Sequence, residues 1–512
     1  MLFSSNYFVF LFLPLVLAAY HGLRIWVAVE PARYLLIAAS LLFYGWWNPA
    51  YIALIMLSMG INYTLGTYIA GGQSSSIRKR YALLAGITFN LGLLGYYKYS
   101  GFLVSSISAL FFDYPVIVDV VLPLAISFFT FQQVAFLVDV YRDNSIMKAT
   151  SLEKYLCFVL FFPQLIAGPI VHHKQLVPQL DNASLNSVTA KQIQLGLAIF
   201  VLGLFKKVVL ADQIAEISEP IFDRHAEGRE LAPRTAWLGI LAFTFRLYFD
   251  FSAYSDMAFG LGLMFGVILP VNFFSPYKAR NINDTWGRWN ITLGHFFGNY
   301  IYKPLGGRSR GPLISARNVL ILMLLSGVWH GAGWNYLIWG LMHGTAMVWL
   351  LLWPVIMNRV GLHGLRNTWV YGTFFSCLFT FSFWVLSLVA FKVTRVDDML
   401  RFYRTLFDIS LAEIGEWTKL VWQQLYVFLS DLVTGGPVVA SALLEGTVWL
   451  LISTVIVFLL PNVFEYFGVT RNGRIGRADL DLRKAMLVGI VGGVALAKVV
   501  SGASSEFIYF VF

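Results

Sequence analysis

Long apolar stretches recur along this chain of 512 residues and limit the classes of fold that it can adopt. Charged residues make up only 12% of the sequence, whereas soluble domains carry about 25%. The apolar stretches last for roughly 16 to 25 residues, which suits bilayer-crossing helices better than the strands of about ten residues in an outer-membrane barrel. We therefore predict an all-α polytopic membrane protein.

The apolar stretches give fourteen predicted membrane segments, some of which should be short, tilted or re-entrant. A further amphipathic or half-membrane helix is expected at 101–113. Because no internal repeat and no flexible linker divides the sequence, we predict a single domain over residues 1–512. The first segment follows no basic region and precedes no cleavage site, so we expect it to be retained as a span. The fourteen segments are 7–20, 32–47, 51–70, 81–97, 118–140, 152–171, 190–211, 235–249, 251–268, 314–329, 335–357, 368–393, 443–464 and 485–500.

Positive charge is unevenly distributed among the loops and predicts the orientation in the membrane. Lys and Arg collect in cytoplasmic loops. This accounts for the net charge of +10 without nucleic-acid binding, for which the sequence has no recognisable motif. We expect the basic stretches 78–80, 278–317 and 471–484 inside, and the acidic amphipathic segment at about 394–442 outside. The helix counts then place both the N-terminus and the C-terminus in the periplasm.

One histidine lies at the junction of two apolar runs. His330 follows the run 320–329 and precedes Gly331 and Gly333. A titratable ring at membrane depth is costly and marks a functional-site hypothesis, and imidazole titrates near the range in which a general base works. The alternative is a helix-end histidine whose ring is satisfied by a carbonyl or a water. Trp329 and Trp334 are expected to wall a pocket around this ring.

A polar, aromatic and basic segment lies at 286–295. The carboxamide of Asn290 suits donation to an oxygen that gains negative charge, or orientation of the histidine. The alternative is a loop asparagine that makes a cap or a turn. We place Trp286, Arg288 and Trp289 in the same pocket. His295 lies about 140° further round a helix than Asn290, so we expect it at the pocket rim or in a structural role.

Charged residues interrupt the apolar sequence at 245–256. Asp250, Tyr254 and Asp256 either line a polar substrate funnel or pair with neighbours, as intramembrane charges usually do. Arg246 lies four residues before Asp250, and we expect the two to pair on one helix. Together with the two preceding segments, these residues define a predicted reaction-centre region at about 245–357.

The sequence contains no motif for a metal ion, a nucleotide or a serine nucleophile. Its two cysteines, Cys157 and Cys377, lie within apolar runs and are interpreted as small buried hydrophobes. Gly168 and Pro169 break the apolar run 152–171, which is tolerated where backbone lines a cavity. We therefore expect no bound cofactor and no metal site.

Taken in order, these segments resemble the membrane-bound O-acyltransferase (MBOAT) superfamily, and within it the bacterial alginate O-acetylation branch. That resemblance implies a helical bundle with tilted and re-entrant helices around a central tunnel. It also implies that His330 is the catalytic residue and that Asn290 occupies a site where this branch usually has a second histidine. The similarity rests on the segments 3–14, 122–131, 138–142, 162–169, 248–256, 304–307, 328–331 and 507–510.

The resemblance further implies O-acetylation of a secreted or periplasmic polysaccharide, alginate-like or cellulose-like, at the bacterial inner membrane. Acetyl-CoA in the cytosol would be the donor, and a periplasmic SGNH-type acyltransferase or another polysaccharide-modification protein the partner. This requires passages to His330 from both sides of the membrane. The expected CoA-binding residues are Lys278, Arg280, Arg308 and Arg310, and the expected partner-binding residues are Phe507, Tyr509 and Phe510.

Four other functions remain open on the sequence alone. Peptidoglycan O-acetylation and D-alanyl transfer use the same class of chemistry. A transporter or flippase subunit would use the polar intramembrane residues to line a path, although no inverted repeat supports it. An inactive scaffold is the fourth, because Asn290 replaces the usual second histidine.

Overall fold

The computed structural model of the chain describes residues 1–71, 75–111, 120–181, 188–361, 373–410, 442–476, 480–502 and 507–508, with a few positions between 415 and 426. Within these residues the secondary structure is helical, apart from one isolated antiparallel bridge between Val469 and Ile475. The predicted all-α class is therefore confirmed. Twenty-two α-helices can be followed through the described ranges, and their bounds are α1 Leu13–Trp26, α2 Val29–Gly45, α3 Ala50–Ala70, α4 Ser76–Leu94, α5 Ser100–Phe111, α6 Ile126–Arg142, α7 Ser145–Lys148, α8 Leu152–Leu160, α9 Phe162–Leu165, α10 His173–Asp181, α11 Ala190–Phe205, α12 Asp212–Ala226, α13 Pro233–Met264, α14 Ile282–Trp286, α15 Ile291–Phe297, α16 Pro312–His330, α17 Trp334–Arg359, α18 Thr373–Lys392, α19 Val396–Phe407, α20 Ala442–Thr454, α21 Val463–Tyr466 and α22 Leu482–Val500.

In the described ranges, five π-helical turns and one 3₁₀ turn adjoin these helices. The π-helical turns widen the helix locally and are frequent at functional sites, whereas the 3₁₀ turn is tighter. One of them joins α11 to α12, and another follows α15. The π-helical turns are Phe8–Phe12, Gly95–Tyr99, Lys206–Ala211, Gly298–Tyr302 and Val455–Leu459, and the 3₁₀ turn is Pro276–Lys278.

Among the described residues, six helices are long and apolar enough to cross a membrane, by length and composition. This supports the multi-pass membrane protein that the composition predicts. The remaining predicted segments fall on helices that are shorter or carry more charge. The six helices are Phe8–Trp26, Ala50–Ala70, Ala190–Ala226, Pro312–His330, Trp334–Arg359 and Thr373–Lys392.

Helix α13 is longer than predicted. The segments 235–249 and 251–268 were expected as two spans, but Pro233–Met264 is one continuous helix of 32 residues. The charge of Asp250 does not end the helix, because Lys207 Nζ lies 2.9 Å from its Oδ1. A paired charge inside the bundle can therefore lie in the middle of an apolar helix.

The opposite difference occurs at 152–171, which was predicted as one span. Helix α8 ends at Leu160, and the short helix α9 follows with Pro163 in its first turn. Past α9 the backbone is irregular as far as His173. This irregular stretch is buried, and the nitrogen of Ile170 donates to Thr292 Oγ1 at 2.9 Å.

Two glycines let α16 and α17 cross at backbone contact. Where α16 crosses α17, a Cβ on Gly340 would lie 2.5 Å from the carbonyl oxygen of Met323, and one on Gly327 would lie 2.2 Å from that of Tyr336. Small residues allow this approach between membrane helices. Since α16 ends at His330, the crossing fixes where that histidine lies.

The helix ends define two opposite ends of the bundle. At one end, His225 Nε2 lies 2.8 Å from the carbonyl oxygen of Asp398, which joins the end of α12 to α19. At the other end, the hydroxyl of Tyr20 donates to the carbonyl oxygen of Phe265, at 3.1 Å, just after α13. Helix α19 buries Met399, Phe402 and Leu406, as an amphipathic helix should. It is the described start of the segment 394–442.

Candidate active site

His330 is the last residue of α16 and is enclosed by aromatic rings. The residue is 3% exposed. Its ring centroid lies 4.8 Å from Trp329, 5.0 Å from Trp339 and 5.2 Å from Phe391, each approached edge to face. The next residue, Gly331, contacts the ring of Tyr336 where a Cβ would lie. The neighbour that glycine admits here is thus a protein ring, and the described side chains cover the imidazole.

The carbonyl groups at the end of α16 are capped by a lysine from another part of the chain. Lys98 Nζ donates to the carbonyl oxygen of Trp329 at 2.6 Å and lies 3.4 Å from that of His330. The hydroxyl of Tyr99 donates to Val328 in the same way, at 2.8 Å. A cation at a helix C-terminus is favoured by the free carbonyls and by the helix dipole. Lys98 was not among the predicted site residues, although a lysine between two apolar runs was a usable signal.

Asn290 adopts a left-handed backbone conformation, with φ of 43°, at the start of α15. Asparagine tolerates this conformation better than most residues do. The turn is held by Asn272, whose Oδ1 accepts from the nitrogen and the hydroxyl of Thr292 at 3.1 and 2.9 Å. The side chain of Asn290 is buried, and its Nδ2 has no hydrogen-bond partner among the described residues. Both interpretations of Asn290, the turn and the buried donor, thus have support in the geometry.

Indole rings connect the Asn290 loop to His330. The ring of Trp286 lies 5.6 Å from that of Trp339, which in turn contacts His330. Trp289 packs 5.0 Å from Trp384, which also contacts Trp286. The two segments that the sequence analysis singled out therefore share one aromatic cluster, with Trp339 between them.

The indole N–H groups of this cluster are unusual. The Nε1 atoms of Trp286, Trp329 and Trp339 are buried without a hydrogen-bond acceptor in the described part of the chain. Buried donors are nearly always satisfied by protein or by ordered water. A cluster of such donors near one imidazole suits a ligand that carries acceptor oxygens.

A second buried histidine belongs to this cluster and escaped the sequence analysis. His343, on α17, is 0% exposed, and its Nε2 lies 2.9 Å from Ser387 Oγ. Its ring contacts Trp339 at 4.7 Å, so one indole separates it from His330. A lone histidine in an apolar helix was the available signal.

Three charged or polar residues of α13 have partners of their own. Asp250 pairs with Lys207 at 2.9 Å, and Asp256 pairs with Lys206 at 2.6 Å. The expected pairing of Arg246 with Asp250 is wrong, because Arg246 pairs with Glu219 instead. The helix α12 brings Glu219 alongside α13, a contact that i,i+4 spacing cannot reveal.

Tyr254, which was predicted together with Asp250 and Asp256, lies between two phenylalanines. Its ring centroid is 4.6 Å from that of Phe3 and 4.9 Å from that of Phe507. Phe507, which was predicted to bind a partner, is 2% exposed, so its side chain packs inside the bundle rather than at the surface. The nitrogen of the next residue, Ile508, donates to Asp250 Oδ2 at 2.7 Å and anchors this segment. Tyr509 and Phe510 lie outside the described residues.

Trp334 does not wall the pocket. The residue is 58% exposed, and its ring contacts Phe102 rather than His330. The chain turns at Gly333 to start α17, which directs Trp334 to the outside of the bundle. Trp329, predicted with it, does contact His330.

The remaining predicted residues lie toward the surface. Arg288 pairs with Asp284 at 2.8 Å, and His295 is exposed. Although His295 is exposed, nearby protein atoms remove part of the hydration of its ring, which lowers its pKa below the usual value. The positive charges of Arg471 and Lys303 lower this pKa further.

The four predicted CoA-binding residues lie in two connections, one before α14 and one before α16. Lys278 Nζ donates to the carbonyl oxygen of Leu460 at 2.7 Å. Arg280, Arg308 and Arg310 are exposed. Lys278 is therefore engaged by backbone, and the three arginines remain available to solvent.

Comparison with known proteins places the chain among acyltransferases. The sequence model of the membrane-bound O-acyltransferase family matches residues 142–393, which include both Asn290 and His330. The chain is 38% identical to the peptidoglycan O-acetyltransferase of Helicobacter pylori over 445 residues, which cover 82% of each protein. It is 36% identical to the probable alginate O-acetylase of Azotobacter vinelandii over 427 residues, or 82% of the chain and 79% of that protein.

A more distant relative belongs to a different branch. The chain is 28% identical to the teichoic acid D-alanyltransferase of Streptococcus thermophilus over 233 residues, which cover 44% of the chain and 56% of that protein. The resemblance seen in the sequence is thus confirmed, and a transporter or a non-enzymatic scaffold no longer fits. On these similarities, the chain is an acyltransferase and belongs to the membrane-bound O-acyltransferase family.

Proposed function

We propose that this acyltransferase moves acetyl from cytosolic acetyl-CoA across the inner membrane for O-acetylation of a secreted or periplasmic polysaccharide. The observation that carries the proposal is His330, a buried histidine held at a helix end among indole rings. It lies within the residues that match the family. The relatives named for alginate and for peptidoglycan O-acetylation support an acetyl group and a polysaccharide acceptor.

His330 acts as the general base in this proposal. One ring nitrogen takes the proton from the acceptor hydroxyl while the hydroxyl oxygen attacks the thioester carbonyl carbon. The carbon–sulfur bond then breaks, the coenzyme leaves as a thiolate, and the thiolate takes the proton from the imidazolium. General-base help of this kind typically contributes about 10²–10⁴-fold to the rate.

Asn290 supplies a donor for the oxyanion that forms during this attack. Its buried Nδ2 and the Nε1 of Trp339 lack acceptors among the described residues. Fixed donors in a water-poor site stabilise developing negative charge without having to reorganise. The same donors can hold the thioester oxygen before attack.

Substrates reach His330 only if part of its surroundings moves, because the described side chains leave the residue 3% exposed. We propose that rings of the aromatic cluster, such as those of Trp329 and Trp339, shift when donor and acceptor bind. Closing of a site around its substrates excludes water and would protect the thioester from hydrolysis.

The acceptor in this proposal is an alginate-like or cellulose-like polysaccharide, reached through a periplasmic SGNH-type acyltransferase. Peptidoglycan is the second candidate, and the 38% identity to a peptidoglycan O-acetyltransferase favours it. D-alanyl transfer has weaker support, since that relative matches 44% of the chain. The two O-acetylation acceptors can be separated by experiment.

The test uses inverted membrane vesicles, whose lumen corresponds to the periplasm, with labelled acetyl-CoA added outside. Label should move to alginate, cellulose or peptidoglycan fragments that are enclosed in the lumen together with a periplasmic acyltransferase from the same cell. His330→Ala should lower this transfer by at least about 100-fold, with unchanged protein in the membrane. His21→Ala is the control, because His21 contacts the carbonyl oxygen of Met264 outside the aromatic cluster. Near-normal transfer by His330→Ala would remove His330 from the mechanism.

A further inference from the structure

A turn late in the chain lies against the Asn290 loop. Val469 and Ile475 form the antiparallel bridge, and the turn between them is closed by a bond from the nitrogen of Thr470 to the carbonyl oxygen of Arg474, at 2.9 Å. The guanidinium of Arg471 projects from this turn. Its Nη2 lies 2.6 Å from the place that a Cβ on Gly287 would occupy. Arg471 therefore contacts the site loop, from which it is remote in sequence.

Arg471 shares its face with two other cationic or titratable residues. His295 and Lys303 are exposed there, and the charges of Arg471 and Lys303 both act on the imidazole of His295. Lys303 Nζ donates to Asn299 Oδ1, a neutral acceptor, at 2.7 Å. In the described part of the chain no carboxylate lies within ion-pair distance of Arg471. The nearby Arg288 differs, because Asp284 neutralises it at 2.8 Å.

An aromatic path leads inward from this face. Gly287, which Arg471 contacts, directly follows Trp286. The ring of Trp286 lies 5.6 Å from that of Trp339, which lies 5.0 Å from that of His330. The Nε1 atoms of both indoles are buried without acceptors among the described residues. Trp286 and Trp339 thus form a wall between the guanidinium of Arg471 at the surface and the buried imidazole of His330. Their two indole N–H donors lie along this wall.

This wall matches the chemistry of one kind of ligand. A guanidinium binds phosphate through paired N–H groups. Indole N–H groups suit amide and thioester carbonyls, and the apolar rings suit a narrow arm. A thioester carried on a pantetheine arm with phosphates at its outer end offers these groups in that order.

We propose that Arg471, supported by Lys303 and His295, binds the phosphates of the acyl donor at the entrance to the reaction centre. This rests on the proposed function for the use of acetyl-CoA. Arg471 is then a specificity-determining residue, and it does not touch the reacting atoms. The assignment differs from the sequence-based expectation of Lys278, Arg280, Arg308 and Arg310.

The experiment compares two donors, acetyl-CoA and S-acetyl-pantetheine, which has the same arm and thioester but no phosphate. For Arg471→Gln we expect the KM for acetyl-CoA to rise about tenfold or more, since hydrogen bonds to charged groups are worth that much. Its kcat should stay within about twofold. The kcat/KM for S-acetyl-pantetheine should not change, and Arg471→Lys should recover part of the affinity for acetyl-CoA.

Arg474→Gln is the matched control, because Arg474 is an exposed arginine of the same turn and its loss changes the net charge equally. Its KM for acetyl-CoA should change by less than about twofold. Equal losses with both donors in Arg471→Gln would assign Arg471 to holding the turn, and an unchanged KM would also overturn the inference. In either case acetyl-CoA use by the unaltered protein would still support the proposed function. Failure of the unaltered protein to use acetyl-CoA would overturn both.

Discussion

At the scale of single residues, Asn290 combines a backbone role with a side-chain role. Its φ of 43° lies in the left-handed region, and its carboxamide is a buried donor on the residue that follows Trp289 of the aromatic cluster. Alanine removes the carboxamide and also strains this backbone, whereas glycine removes the carboxamide and keeps the conformation accessible. The two substitutions therefore separate the roles.

For Asn290→Gly we expect normal membrane levels and a turnover about 10²–10³-fold lower, as when one oxyanion donor is lost. Asn290→Ala should show the same catalytic loss together with lower thermal stability. The measurements are acetyl transfer from labelled acetyl-CoA and thermal unfolding in detergent. Full activity of Asn290→Gly would restrict Asn290 to the turn.

Lys98 offers a second prediction at this scale. Its ammonium group donates to Trp329 at the end of α16, so Lys98→Met leaves helix-end carbonyls without that donor. We expect a loss of about 1–3 kcal/mol in the free energy of unfolding and reduced acetyl transfer. Lys148→Met, at an exposed lysine, is the control and should leave stability within about 0.5 kcal/mol. Equal stability of the two variants would count against the cap.

Residue positions in the sequence identified part of the site. His330 and Trp329 could be predicted because a histidine at the junction of two apolar runs is unusual. Lys98 and His343 could not be assigned, because their roles depend on contacts between segments remote in sequence. Trp334 was misplaced because its neighbourhood in sequence did not show that α17 starts there and directs it outward.

At the scale of elements, the crossing of α16 and α17 holds the reaction centre together. Gly340 lies at backbone contact with Met323. For Gly340→Ala we expect a loss of about 1–3 kcal/mol in stability, because the added methyl must push backbone away. Acetyl transfer should also fall, since α16 carries His330. The measurements are thermal unfolding in detergent and the labelled transfer assay.

Gly60, within α3, is the control for this prediction, because a Cβ there would have nothing within 4 Å. Gly60→Ala should be neutral or stabilising by about 0.5–1 kcal/mol, as alanine favours the helix. A Gly340→Ala variant that is as stable and active as Gly60→Ala would show that the helices can separate without consequence.

The helices could be predicted better than their ends. Apolar runs located α3 and α17 closely, because these helices face lipid or an apolar core along their length. The predicted break in the middle of α13 was wrong because the charges of Asp250 and Asp256 are neutralised by lysines of the turn between α11 and α12. The end of α8 was wrong because the sequence continues to be apolar while the backbone does not remain helical.

At the scale of the whole molecule, orientation remains a prediction that labelling can test. Ser309 lies in the basic loop before α16, and Glu230 lies between α12 and α13, near α19; both are exposed. In a chain with Cys157 and Cys377 replaced by alanine, Glu230→Cys should react with an impermeant maleimide in spheroplasts. Ser309→Cys should react only after the membrane is opened. Reaction of both in closed spheroplasts would contradict the predicted orientation.

The contacts of Tyr254 bear on how the protein is made. Its ring is held between Phe3 and Phe507, and the ribosome adds Phe3 long before Phe507 because hundreds of residues separate them. At a synthesis rate of about 5–20 residues per second, Phe507 is added tens of seconds after Phe3. The nascent chain therefore inserts while the place of Phe507 beside Tyr254 is still empty. A product truncated before Phe507 keeps this cavity, by which quality-control proteases could recognise it.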